Sequence, residues 1–313
     1  MIQESFQESF LVHPHPPFRL DVTVWALRRR THNRIDQWHR TVYTRVLLVD
    51  HTPVKVCVSQ RQADNNPELV VNVWSPAPVV QGRARISEVL QRMLGLQVDV
   101  TEFYALAEKV PLLSPLAHHF LGLKPPRFPS LFEALLNAFA CQQVSLDVGI
   151  MLLNRLSATY GIQLDDGEAV FCAFPEPEAF ATTSVEGIRA LGFSHQKARA
   201  ITELATALVQ NQRDFSLLEA MNDEEAKTSL SSLRGVGRWT AEYVLLRGLG
   251  RLDSFPGDDV GAQKNLQYLL HLEEKPPYET IKELTSPWHP YAGFVYFHLL
   301  LDKLEKQGIL SQE

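Results

Sequence analysis

Cysteine is scarce in this chain, with Cys57, Cys141 and Cys172 the only three among 313 residues. An odd, widely spaced set provides neither a disulfide framework nor a group of zinc ligands, and it points to a reducing cytoplasm. Long apolar runs are also missing. Although 45% of the residues are hydrophobic, the apolar stretches are too short and too interrupted to span a bilayer. The opening MIQESFQESF has acidic residues but not the basic lead and apolar core of a secretory signal, so the protein is expected in the cytoplasm, with the nucleoid if bacterial. His51, His195 and His298 have no cysteine or carboxylate partners at ligand spacing and are read as structural or surface residues. Excess basic charge is absent as well. The formal net charge of −6 counts against a nucleic-acid partner unless a small basic footprint and backbone amides form one face, with the acidic residues behind it.

The composition, 21% charged, is that of a globular protein of two or three compact units. From Phe18 to Trp74 the pattern reads as strands. Val54, Val56 and Val58 alternate with polar residues, Asp50-His51-Thr52-Pro53 is a turn, and Leu69 to Trp74 follows a break at Asn65-Asn66-Pro67. The Arg28-Arg29-Arg30 run reads as a solvated strand end. From Ile86 the period becomes helical, with Gly95 as a stop and Thr101 starting a second helix. Lys124-Pro125-Pro126 reads as a linker. Beyond it Ser130 and Glu133 form a capping box, Ser145 opens a helix to Tyr160, and Ser184, Ser194 and Asn222 cap three more. The last helix runs from about Tyr291 to Glu305. The fold class is therefore α+β, with the sheet confined to the first third and an all-helical remainder.

One stretch concentrates the chemistry: LSSLRGVGRWTAEYVLLRGLGRLDSFPGDDVGAQK, residues 230–264. Gly235 and Gly237 permit a tight turn and a close backbone approach to an outside group. The amides of that turn and of the helix after it would suit a phosphate. About twenty residues on, Asp258 and Asp259 precede a new helix, where either carboxylate could simply be an N-cap. Trp239 and Tyr243 share one helical face, which fits core packing as readily as a ligand wall.

Five motifs in order change that balance: CQQVS at 141–145, GFSHQKA at 192–198, LRGVGRWTAEY at 233–243, FPGDDVG at 255–261 and PWHPYAGFVYFHLL at 287–300. Together they resemble the helix-hairpin-helix/Gly-Pro-Asp superfamily of DNA glycosylases, most closely the branch of 3-methyladenine glycosylases of type II. The resemblance implies an α+β protein. Residues 1–115 would form an N-terminal domain with an antiparallel sheet and helices. Residues 116–313 would form the helix-hairpin-helix core, two helical subdomains with the active-site cleft between them, the second completed by helices from about 84–115. It further implies a monofunctional enzyme of base excision repair. Such an enzyme flips alkylated purines (3-methyladenine, 7-methylguanine) out of double-stranded DNA and hydrolyses the N-glycosidic bond, acting as a monomer without a membrane. The rivals are a non-catalytic hairpin module that only binds DNA and a glycosylase for oxidised bases.

Residue by residue, the resemblance makes Asp259 the catalytic carboxylate, because the essential Asp of the pattern precedes an apolar residue, here Val260; Asp258 would cap or remain solvated. Trp239, Tyr243 and Trp288 would line the base pocket, where an aromatic face attracts a flat cation. Gln142 and Gln143 would form the loop that fills the gap in the duplex. Arg234, Gly235, Val236, Gly237, Arg238 and Thr240 would meet phosphate. The carbonyls of Ser231, Leu233 and Val236 could hold a Na or K ion, with no other cofactor. Related enzymes for 8-oxoguanine have a lysine where this chain has Trp239, and tryptophan cannot form their Schiff base. No cysteine follows Cys172, so no iron–sulfur cluster is expected. Two departures stand out: Gln143 where an apolar wedge can occur, and Arg234 where proline is frequent.

Overall fold

The computed structural model describes residues 6–62, 66–180 and 182–310; Asn65, part of the expected break, lies outside these. Five strands, β1 (Phe6–Val12), β2 (Gln37–His39), β3 (Val42–Val49), β4 (Thr52–Gln62) and β5 (Glu68–Ser75), form an antiparallel sheet in the order β1-β5-β4-β3-β2. The alternation in β4 is real: Val54, Val56 and Val58 are buried and belong to the main hydrophobic core. Asp50 and His51, both at positive φ, make the tight turn between β3 and β4.

Leu20–Arg28, expected as strand, is a helix, α1. Eight of its nine residues are buried, so it is apolar on nearly every side and neither period shows in its sequence. Arg28 and Arg29 consequently do not mark a solvated strand end. They close α1, and both are buried. Helices α2 (Gly82–Leu94), α3 (Thr101–Ala107) and α4 (Ser114–His119) follow. Gly95 stops α2 in the left-handed region. The Lys124-Pro125-Pro126 segment is no exposed linker either, since all three residues are buried and Lys124 Nζ donates to the Val98 carbonyl at 2.7 Å.

The helical part starts with α5 (Leu131–Cys141) and α6 (Leu146–Tyr160), capped by Ser130 and Ser145. It contains one small hairpin, β6 (Gln163–Asp165) with β7 (Val170–Cys172), so it is not wholly helical. That hairpin packs Leu164 and Phe171 against Val46, Leu48 and Trp74 of the sheet and pairs Asp166 with Lys55. Then come α7 (Val185–Ala190), α8 (His195–Val209), α9 (Ser216–Ala220), α10 (Asp223–Ser231), α11 (Arg238–Val244), α12 (Val260–Leu269), α13 (Tyr278–Thr285) and α14 (Ala292–Lys306). Ser184, Ser194 and Asn222 cap α7, α8 and α10, the last with a complete capping box. Most buried apolar side chains form one cluster from Phe10 to Leu304, beside the small one of Val46, Leu164 and Ala173. Among the described residues no helix is long and apolar enough to cross a membrane.

Candidate active site

A cavity of about 1260 Å³ opens where the α5–α6 loop, the α10–α11 turn, the start of α12 and one face of α14 meet. Asp259 lies on its wall, half-buried, as the N-cap of α12. Its Oδ1 accepts the Ala262 amide at 2.9 Å, and its Oδ2 accepts the Trp239 indole at 3.3 Å and the Tyr296 hydroxyl at 3.4 Å. The cap and the cavity carboxylate are thus one residue. Burial, and next the charge of Asp259, push the Tyr296 hydroxyl well above its usual range, so it remains a donor. Asp258 instead makes two bonds to Arg238, at 2.7 and 3.0 Å. Beneath the preceding loop, the buried Glu242 accepts the Gly257 amide at 3.2 Å and the Tyr278 hydroxyl. Gln263 donates to the Gly257 carbonyl at 2.8 Å, so the approach to Asp259 is fixed from two sides.

Trp239 and Tyr243 both reach the cavity, their ring centroids 5.2 Å apart and tilted by 32°. They are not equivalent. Trp239 is half-exposed, whereas Tyr243 is buried, with the Arg247 guanidinium 5.6 Å from its ring centroid. Tyr243 is therefore a poor platform for a second cation, and what it offers the cavity is its hydroxyl end. Trp288 is buried in the core and is not among the residues that line the cavity. Its place as third aromatic is taken by Tyr296, which sequence reasoning missed, although it falls within the quoted 287–300 motif. A helix that is apolar nearly all round gives no sign of which aromatic faces a cavity.

The two hairpin glycines differ. Gly235 has φ 80°, and a Cβ there would sit 3.1 Å from the Ala200 Cβ, so the fold itself requires it. A Cβ on Gly237 would meet nothing within 4 Å. Nothing in the chain demands glycine there, which leaves its outward surface open to a close approach. Arg234 is exposed and pairs with Glu203 at 2.6 Å, and Arg238 also stacks on Tyr278 at 3.5 Å. Val236 is buried. The Thr240 side chain is buried, and its Oγ1 accepts from the Gln142 side chain at 2.8 Å, so only its amide in the first turn of α11 is left for a phosphate. The Leu233 carbonyl accepts the Val236 amide at 3.2 Å; the Ser231 and Val236 carbonyls lie on the same turn.

Gln142 is committed to this hairpin, donating also to the Gly235 carbonyl at 2.8 Å. Gln143 is exposed at φ 54°, a strained setting for a non-glycine residue. Lys197, from the GFSHQKA motif, donates to the Gln142 carbonyl at 2.6 Å and holds the loop from below. Seven basic side chains line the cavity against three acidic ones, so this face is locally positive in a chain of net charge −6. Among the described residues no group of three or more His, Cys, Asp or Glu could hold a metal ion.

Sequence reasoning also missed a pair of buried arginines. Arg29 donates from Nη1 to the Tyr243 hydroxyl at 2.9 Å and from Nη2 to Asn137 Oδ1 at 2.7 Å. Arg247 lies in a π-helical turn, Leu245–Leu249, and donates to the carbonyl of Ala26 at 2.7 Å. Nothing local in either segment signals this, because the partners are brought together only by the fold.

Comparison with known proteins follows the same lines. The family model described as HhH-GPD superfamily base excision DNA repair protein matches residues 136–290. The chain is 28% identical over 284 residues to a DNA-3-methyladenine glycosylase of Bacillus subtilis, covering 90% of this chain and 93% of that one. It is 31% identical over 179 residues to an alkylbase DNA glycosidase-like protein of Schizosaccharomyces pombe, covering 56% of this chain and 80% of that one. A solved 3-methyladenine DNA-glycosylase from Archaeoglobus fulgidus superposes with a TM-score of 0.81 at 25% identity, over 95% of this chain and 98% of that one.

Proposed function

Because the chain belongs to the HhH-GPD superfamily of base excision DNA repair proteins, as a DNA glycosylase of the 3-methyladenine type, we propose that it flips an alkylated purine from duplex DNA into the cavity beside Asp259. There it hydrolyses the N-glycosidic bond and leaves the strand intact. The observation that carries this reading is the Asp259 carboxylate, oriented by three donors on the cavity wall. It would stabilise the positive charge that grows on the deoxyribose as the bond breaks, and orient the attacking water. A carboxylate about 4 Å from that charge, at an effective dielectric near 20, contributes roughly 4 kcal/mol, on the order of a thousandfold in rate.

Trp239 supplies the stacking wall, and its indole bond to Asp259 couples base placement to the sugar. A base methylated at N3 or N7 is already cationic and leaves as a neutral molecule, so it needs no strong general acid. Gln143 fills the vacated stack, with Gln142 and Lys197 bracing it, and the Gly237 surface, Arg234 and Arg238 meet the backbone. The Ser231, Leu233 and Val236 carbonyls serve a Na or K ion at the same turn. Residues 1–115 contribute the sheet and the Arg29 end of the cavity, and residues 116–313 the hairpin and Asp259. The partner is double-stranded DNA, bound by a monomer.

The test is release of 3-methyladenine and 7-methylguanine from methylated DNA, separated by chromatography. Asp259→Asn should lower release on the order of a thousandfold with DNA binding kept, Asp258→Asn should be far milder, and the strand should stay uncut until base is added. If the two aspartate variants exchange behaviour, or the wild type releases neither base, the reading is wrong.

A further inference from the structure

Arg45 and Arg29 are both buried, yet only Arg45 has counter-charges. Its guanidinium meets Asp36 at 2.7 Å and Glu133 at 2.6 Å. Arg29, 5% exposed, lines the cavity and is held by two neutral groups, the Tyr243 hydroxyl and the Asn137 amide oxygen, while its Nε, like that of Arg45, has no partner among the described residues. Asp36 acts on it only at longer range and is already bonded to Arg45 and Tyr43. Asn137 stands one helical turn after Glu133 on α5, so a carboxylate at that position would have neutralised Arg29 with little change of shape.

A buried charge without a bonded counter-charge is costly in a fold, and this one faces a cavity. Because the Tyr243 oxygen accepts from Arg29, its own proton, without an acceptor among the described residues, is free to donate into the cavity. Burial raises the Tyr243 hydroxyl's pKa, with Arg29 and Arg247 opposing, and it remains protonated. The cavity is therefore polarised. Asp259 lines it at the start of α12, and a cation-backed donor, the Tyr243 hydroxyl, lines it beside Arg29.

We propose that Arg29, acting through the Tyr243 hydroxyl, is a specificity-determining residue that stabilises negative charge on a departing purine, and so sets how fast neutral damaged purines such as hypoxanthine are released relative to cationic ones. The proposal rests on the glycosylase reading above. When a neutral purine leaves, the electron pair of the C1′–N9 bond goes to the base, which departs as an anion while the sugar becomes an oxocarbenium ion. Water adds its oxygen to C1′, and the proton it loses balances the proton the purine anion takes up. A cationic base undergoes the same unit change of charge as it leaves, but Arg29 repels it when it binds, so relative to free enzyme and DNA it gains little from Arg29. A full charge about 6 Å from the leaving base, at an effective dielectric near 20, corresponds to roughly a hundredfold in rate.

The experiment is excision of hypoxanthine and of 7-methylguanine from otherwise identical duplexes, compared as kcat/KM at one pH, with thermal unfolding as the check on folding. Arg29→Met should slow hypoxanthine release by roughly a hundredfold and leave 7-methylguanine within about threefold of the wild type. Asn137→Asp, which keeps Arg29 but supplies its missing carboxylate, should also lose hypoxanthine selectively. Across neutral purines of graded leaving-group acidity, both variants should show a steeper dependence of rate on that acidity. Equal losses on the two bases, or no change in the acidity dependence, would make Arg29 a structural residue and overturn the proposal. A wild type active on 7-methylguanine but inert on hypoxanthine would also overturn it while leaving the glycosylase reading intact. A wild type inert on 7-methylguanine would remove both.

Discussion

Helix α5 serves two buried arginines one turn apart, Arg45 through Glu133 and Arg29 through Asn137, and the two surroundings follow different rules. Around Arg45 every charge is answered. Asp36 and Glu133 take the guanidinium, and the Tyr43 hydroxyl donates to Asp36 at 2.8 Å. That cluster ties β3 to α5, and nothing places it at the cavity. Around Arg29 and Arg247 the bonded partners among the described residues are a hydroxyl, an amide oxygen and a backbone carbonyl, with aromatic faces beside them and no carboxylate. A closed network gains specificity of packing at little net energy. An open one is less stable than an apolar replacement could be, and such a deficit is found where a site acts on something else. The difference marks which half of the seam between sheet and helices is structural.

The strongest way to break the comparison is Glu133→Gln. The amide keeps the shape but leaves Arg45 with one carboxylate, and removing one partner of a buried pair costs about 3–5 kcal/mol. Chemical denaturation should show that loss, while the folded variant excises 7-methylguanine at the wild-type rate. A large drop in excision by fully folded protein would mean that the Arg45 cluster is not purely structural.

His298 sharpens the contrast, because it meets burial by staying neutral. Its Nδ1 faces the Phe294 carbonyl at 3.0 Å, and Phe103, Phe120 and Phe294 surround the ring. Burial lowers its pKa from 6.5 to about 4. The folded state thus binds its proton later than the unfolded chain does. The stabilisation is fully present above pH 6.5 and is lost as pH falls toward 4, by about 3 kcal/mol in all. Carboxylates titrate over the same range, so the measurement is the difference between wild type and His298→Phe in unfolding free energy at pH 7 and pH 4. A difference that does not change with pH would show that burial leaves the His298 pKa at its unfolded-state value.

Local features were legible in the sequence and long-range ones were not. Ser130, Ser145, Ser184, Ser194 and Asn222 announced their helices because a cap depends on the next three residues alone. Asp259 was legible for the same reason, its motif being contiguous with the helix it caps. α1 was misread because a helix buried on all sides carries no period, and with it went Arg29. The bond from Arg29 to Tyr243 spans 214 residues, and no local pattern encodes it. Tyr296 and Trp288 were exchanged because both belong to an apolar motif in which only the fold decides which ring faces the cavity. In the Ser130 capping box only half the geometry forms: the serine accepts the Glu133 amide, but the Glu133 carboxylate is taken by Arg45.

The smallest expected effect separates structure from function within three residues. Gly235 is required from inside, by its positive φ and by Ala200, whereas Gly237 is exposed and has open space where a Cβ would go. Gly237→Asp should therefore fold as the wild type does, with an unchanged unfolding midpoint. It would nonetheless place a side chain and a negative charge where the proposed phosphate contact lies. Phosphate contacts position a protein without reading sequence, so DNA affinity should fall uniformly, by roughly tenfold or about 1.4 kcal/mol, for undamaged and lesion-containing duplexes alike. The check is a fluorescence titration of both duplexes at one salt concentration, since backbone affinity depends steeply on salt. A loss confined to the lesion duplex would move Gly237 from the backbone contact to the base site. An unchanged affinity for both would leave the hairpin turn with only the structural role that Gly235 already fills.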